Sequence, residues 1–185
     1  MKYDHAKGVE ILRYIISSGV TNAYHIMKAM YFADKYHLQK YGRQVNGNKY
    51  IAMDMGPVPS EMYDFIKAIR NHFITGFEPV NHHHIACNAG PDTDWLSESD
   101  MEALDFGINE VKGLSMGAVM DKSHDEAYRN TDSNCVMTIE NIVRQFDNAD
   151  LVLEYLNRRK CLQREILFAQ KLCKFRDEKS ICPAK

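Results

Sequence analysis

No run in this chain approaches the roughly 18 apolar residues that a membrane-spanning helix needs. The opening, Met1-Lys2-Tyr3-Asp4-His5, carries an acid and leads into no apolar stretch, so it does not read as a secretory signal. Cysteine is sparse: five in 185 residues, at positions 87, 135, 161, 173 and 182. An odd number, wide spacing and no Cys-x-x-Cys argue against a disulfide framework or a zinc site, and favour reduced thiols in a cytoplasm. There is no Walker loop, no Gly-x-Gly-x-x-Gly, no Gly-x-Ser-x-Gly and no His-Glu-x-x-His. Charge of one sign is also lacking. The balance of 23 basic and 25 acidic side chains, net −2, argues against a protein that coats DNA. A length of 185 residues suits one domain, or one domain with an extension. At 45% hydrophobic and 26% charged, the chain is globular rather than disordered.

The near-zero total hides an asymmetry. Residues 1–91 carry 10 basic and 7 acidic side chains, residues 92–150 carry 4 and 14, and residues 151–185 carry 9 and 4. The segments are thus net +3, −10 and +5. An acidic middle and a basic tail either attract one another within the chain or present two faces to a partner, with the internal reading favoured.

Hydrophobic periodicity predicts helices over about 5–18 and 22–41, the second ended by Gly42. Asn46-Gly47 signals a turn, followed by extended residues to about Met53. Two prolines in Gly56-Pro57-Val58-Pro59-Ser60 forbid a helix there, and Ser60 can cap the next one, to about Phe73. From Gly76 to Trp95 the helical period disappears and a small β-hairpin or extended loop is expected. Further helices are expected over about 100–112 behind a capping box, 115–121, 123–128, 138–147 and 149–175, with a frayed end over 176–185. The fold expected is mainly α with a small β-hairpin (α+β): a compact helical domain over 1–134 and a helical extension over 135–185, packed on the same domain.

His82-His83-His84 is the most visible metal candidate. In a strand only His82 and His84 share a face, further ligands would have to come from Cys87 or Asp92, and a polar turn is the better reading. No metal, cofactor or catalytic residue is assigned. Asp34 lies on the apolar stripe of the second helix. A carboxylate there is costly unless hydrogen-bonded, so Asp34 is expected to be buried and to accept from the Gly47–Met53 segment or the Gly56-Pro57 turn, with Tyr31 and Tyr50 around it. Arg158-Arg159-Lys160 with Arg164 is the only dense basic cluster. It reads as the polar face of an amphipathic helix whose apolar side carries Leu151, Tyr155, Leu162, Leu167 and Leu172, and not as a duplex-binding site.

Met27-Lys28-Ala29-Met30-Tyr31-Phe32-Ala33-Asp34-Lys35-Tyr36-His37-Leu38, then Tyr41-Gly42-Arg43, Gly47-Asn48-Lys49-Tyr50-Ile51-Ala52-Met53 and Gly56-Pro57-Val58-Pro59-Ser60 with Tyr63-Asp64 form one block. Leu96-Ser97-Glu98-Ser99-Asp100, Ala103-Leu104, Leu114-Ser115 and Ser123-His124-Asp125-Glu126-Ala127-Tyr128 form a weaker second one. Together they resemble the SocA-like antitoxin family, also called the Panacea domain, over about residues 5–130. In that family an aromatic residue, often Trp, follows the Ser/Thr-His pair, so Tyr128 is a mild departure. The resemblance implies a mainly helical fold and a non-enzymatic antitoxin of a bacterial or phage two-gene module, acting by protein–protein contact. One member hands its toxin to a cytoplasmic protease, and others neutralise unrelated toxins.

Three readings follow. The first is a cytoplasmic antitoxin, phage or prophage associated, that binds a cognate toxin. The second is an adaptor that delivers the toxin to an ATP-dependent protease. The third is a small metal-dependent enzyme or regulator built around Asp34, His37 and the triple histidine. The first is preferred, with no membrane partner, no duplex binding and room for a homo-oligomer. Tyr41, Arg43, Pro57, Pro59, Arg158, Arg159 and Arg164 are the expected toxin contacts. Tyr31, Asp34, Gly42, Tyr50, Gly56, Ser123 and His124 are the expected structural motif.

Overall fold

Helix formation begins where Asp4 accepts from the backbone N–H groups of Ala6 and Lys7, capping α1 (His5–Ser17). The computed structural model describes residues 2–180, with side chains to 171. Asn22 caps α2 (Ala23–Tyr41), and Gly42, at φ 64°, ends it in the left-handed conformation that glycine adopts at no steric cost. Then follow β1 (Tyr50–Met53), β2 (Gly56–Pro59), α3 (Ser60–Arg70), the hairpin β3 (Phe77–Pro79) and β4 (Ile85–Cys87), and a 3₁₀ turn at Thr93–Trp95. The second half is α4 (Glu98–Val111), α5 (Met116–Ser123), α6 (Glu126–Arg129), β5 (Val136–Met137), α7 (Ile139–Arg144) and α8 (Ala149–Ser180). A capping box between Ser97 and Asp100 opens α4. The fold class is the one expected: mainly helical, with small antiparallel sheets.

Helix α2 is the central element, buried along most of its length. It packs closest against α4. Gly107 makes that approach feasible: a Cβ there would lie 2.1 Å from Ala29 O and 2.8 Å from Ala33 N. Ile11, Leu12 and Ile15 of α1, Ile26 and Met30 of α2, Met62, Ile66 and Ile69 of α3, and Ile142 and Val143 of α7 complete one core.

Three details differ from the expectation. Gly56–Pro59 is a strand rather than a turn, antiparallel to β1 with Tyr50 opposite Pro59 and Ala52 opposite Pro57. It tolerates two prolines because it is the edge of a sheet ordered β2-β1-β5. The third strand, β5, lies between the helices expected over 123–128 and 138–147, and pairs Tyr50 with Met137. The last helix continues to Ser180, past Phe175. The side chains of Leu172 and Cys173, and residues 181–185 with Cys182, lie outside the described residues.

Candidate partner-binding surface

Two polar seams run along α2, since residues three and four apart share a helix face. On one seam Lys28, fully buried, donates from Nζ to Pro57 O at 2.7 Å. Burial pulls this amine down to about 7, because the charged form loses its water. Tyr31 donates to Asp125 Oδ2 at 2.8 Å, and Lys35 Nζ pairs with the same oxygen at 2.5 Å. Burial, and then the Asp125 charge, push the Tyr31 hydroxyl well up.

On the other seam Asp34 is 1% exposed. It accepts from Val45 N–H at 2.7 Å, from the Tyr50 hydroxyl at 2.7 Å and from Gln44 Nε2 at 3.4 Å. Burial raises its carboxyl to about 7, against the lowering effect of those donors. Tyr50 does lie in the expected Gly47–Met53 segment, but Val45 and Gln44 precede it, and the Gly56-Pro57 turn is not a donor. His37 Nδ1 lies 2.8 Å from Arg43 O. A carbonyl only accepts, so Nδ1 carries the proton, and burial keeps the ring pKa below its ordinary value. Farther along, Tyr36, Lys40 and Tyr41 all donate to Glu102 of α4.

The two sequence blocks meet at Gly56. At φ 91° it sits so tightly that a Cβ would come within 2.8 Å of Ser123 Oγ, 2.9 Å of Lys28 Nζ and 3.0 Å of His124 Cδ2. The His124 ring stacks on Tyr128 with centroids 4.1 Å apart. A second junction forms at Asp100, 1% exposed, which pairs with Lys7 at 2.6 Å and Arg43 at 2.9 Å. Its own burial would raise the carboxyl, but the Lys7 and Ser97 hydrogen bonds outweigh this and hold it below the ordinary range.

The expected contacts fare unequally. Pro57 and Pro59 are buried, because β2 is sandwiched against β1 and α2; the expected exposure is not found. Tyr41 and Arg43 are half-buried, and their polar atoms are taken up within the fold, Arg43 bridging Asp100, Ser97 and Ser99. Arg158, Arg159 and Arg164 are exposed. The apolar stripe beside them is exposed too: Leu151 68%, Tyr155 46%, Leu162 58% and Leu167 51%. The expected packing of the extension on the domain holds only for its first part, where Ile142 and Val143 of α7, Phe146 and Val152 join the core. The physical reason is that α8 is one uninterrupted helix, which leaves the body in a straight line after its first turns.

Where α8 departs, its Tyr155 ring covers Gly42; a Cβ there would be 2.4 Å from the ring. A groove of about 420 Å³ opens beside it, lined by Gln39, Lys40, Tyr41, Leu151, Val152 and Tyr155. A neighbouring groove of about 250 Å³ includes Arg43, Leu156 and Arg159. Elsewhere, His82 and His83 are exposed, while His84 Nδ1 bonds to Thr21 Oγ1 at 2.9 Å. Among the described residues no group of three His, Cys, Asp or Glu side chains could hold a metal ion, and no helix is long and apolar enough to cross a membrane.

Sequence reasoning missed Lys28, Lys35, Asp100, Glu102 and Asp125 as members of these seams. A signal existed for Asp100, whose capping box is legible, and for Asp125, inside the Ser123–Tyr128 run. None existed for Lys28, because periodicity marks apolar faces and is silent about a buried amine.

Residues 26–128 match the family model described as antitoxin SocA-like, Panacea domain. The chain belongs to that family. Its role therefore lies in toxin–antitoxin biology. No curated protein and no solved structure matches it. The matched segment holds both seams and the Gly56 junction, and the Asp100 junction apart from Lys7, whereas α1, β5, α7 and α8 lie beyond it.

Proposed function

We propose that this chain is an antitoxin that binds and neutralises a cognate toxin in the cytoplasm by direct contact, without chemistry of its own. The observation that carries the reading is the inward use of the family motif. Lys28, Tyr31, Asp34, His37, Asp100 and Asp125 bond to neighbouring segments of the fold, and none of the six lines either groove beside α8. A partner is then met by surface rather than by a catalytic cleft. The groove between the end of α2 and the root of α8 is the proposed contact, because Leu151 and Tyr155 bring exposed apolar area together there, beside the half-buried Tyr41.

Co-expression with the product of the adjacent reading frame tests this. Relief of growth arrest by the wild type is expected, together with co-purification of the two proteins. Leu151→Glu should abolish both while shifting the melting temperature little, since Leu151 is 68% exposed. Absence of binding by the wild type would refute the antitoxin reading. Relief that disappears in cells without their ATP-dependent proteases would replace occlusion by protease delivery.

A further inference from the structure

Helix α8 carries an apolar load that the body does not cover. Val152 is buried and Leu153 and Leu156 are half-buried, but every residue from Asn157 to Lys171 is exposed. Within that arm Leu162, Ile166, Leu167 and Phe168 are 58%, 49%, 51% and 65% exposed. A single helix in water is marginal without an apolar face to bury.

The arm's charge is one-sided. Residues 157–171 hold Arg158, Arg159, Lys160, Arg164 and Lys171 against Glu165 alone. Lys160 reaches Glu140 at 2.5 Å. Among the described residues Arg158, Arg164 and Lys171 have no ion-pair partner. Arg159 lies over the Tyr155 ring, 5.8 Å from its centroid. Two such arms laid on each other would oppose like charges.

The complementary surface exists on the same chain. The outer face of α4 presents Glu98 and Asp105, with Asp94 just before the helix, and it is flanked by Trp95 at 48% and Phe106 at 39% exposure. Neither Glu98 nor Asp105 has a cationic partner among the described residues; Asp105 accepts from the Tyr14 hydroxyl at 2.9 Å. The arm cannot reach its own α4 by folding back, since α8 is continuous from Ala149 to Ser180, about 48 Å at 1.5 Å per residue.

We propose that two copies of this chain form a twofold dimer, in which the α8 arm of each lies along the acidic outer face of α4 of the other. Reciprocal exchange satisfies both surfaces at once and closes the assembly. Apolar burial at Leu162, Ile166, Trp95 and Phe106 supplies attraction, and the basic and acidic rims fix the pairing. This does not depend on the antitoxin reading.

The test is the mass of the full chain by sedimentation equilibrium at about 100 μM, where an association of micromolar strength is complete. A dimer is expected, and it should weaken as salt rises and the charges are screened. Arg158→Glu/Arg159→Glu/Arg164→Glu should be monomeric, and so should Glu98→Lys/Asp105→Lys, each with wild-type circular dichroism. Mixing the two variants restores both charge pairings, so a mixed dimer should appear, which also shows that both proteins are folded. A monomeric wild type overturns the proposal. So does an α4 variant that remains dimeric, which would mean that the arms pair with each other. An arm variant that dimerises as well as wild type also overturns it.

Discussion

At the scale of single residues, Asp34 shows how one carboxylate organises a segment. It collects the Val45 N–H and the Tyr50 hydroxyl and so fixes the path of the chain between α2 and β1. In Asp34→Ala, Tyr50 keeps Met30 O as an acceptor at 3.1 Å, but the Val45 donor is left unpaired. The expected loss in denaturant unfolding is roughly 1–3 kcal/mol. A variant that unfolds like the wild type and yet fails to relieve toxicity would make Asp34 a contact residue instead. The same carboxyl should titrate near neutrality. Its folded-state value, raised by burial from 3.8 to about 7, lies above the unfolded one, so over that interval the native state holds the extra proton. This group's contribution to stability is therefore present in full below about pH 4 and is lost as pH rises toward 7. The Asp34 ¹³Cγ resonance gives the check: a midpoint near 4 would contradict the burial argument. Gly107 is the opposite case, a residue important for what it lacks. Gly107→Ala gains about 1 kcal/mol of helix propensity. The new methyl would meet the Ala29 carbonyl oxygen at 2.1 Å, a backbone atom that no rotamer change can move aside. Overpacking of this kind costs about 1–3 kcal/mol. Thermal melting should therefore show net destabilisation despite the better helix former.

At the scale of elements, the helices were legible because their caps and periodicity agree: Asn22 and Gly42 bracket α2, and Ser97 opens α4. The β3–β4 hairpin was legible from the loss of helical period between Gly76 and Trp95. β2 was not, because two prolines argue against a strand until its place at a sheet edge is known. β5, two residues long, is below what alternation can reveal. The burial of Asp34 could be read from its place on an apolar stripe, whereas its donors Val45 and Gln44 depend on how the chain turns after Gly42. For α8 the sequence displays an apolar face without saying what lies against it, and charge balance pointed to the chain's own acidic helices. The structure instead gives a two-part extension. Met137, Ile142, Val143, Phe146 and Val152 belong to the core, and residues 157–171 are outside it. Truncation after Asn157 should accordingly leave a folded protein whose melting temperature is nearly that of the full chain at concentrations too low for association. Truncation after Asn134 removes five core side chains and a strand, and should give an unfolded or aggregating product. Circular dichroism and light scattering on the two proteins decide between this and a uniformly dispensable extension.

At the scale of the whole molecule, the buried polar residues of the family motif form two junctions. Gly56, Ser123 and Lys28 crowd one junction while Lys7, Arg43 and Asp100 pair at another, and both lie inside the body. Exposed positions outside these junctions can then change without disturbing the frame. The β1–β5 pairing has a consequence in time. Tyr50 cannot meet Met137 until the second half of the chain has been synthesised. Until then one side of β1 is an unpaired edge, able to take up strands from other nascent chains. Lys35 waits in the same way for Asp125. Such distant closures slow folding relative to a bundle of neighbouring helices. In a cell, a freshly made copy passes through an interval in which α1 to α6 and the β1–β2 pair can form but the third strand is absent. The concentration of competent protein must then lag behind its synthesis by the time this last strand takes to arrive and dock.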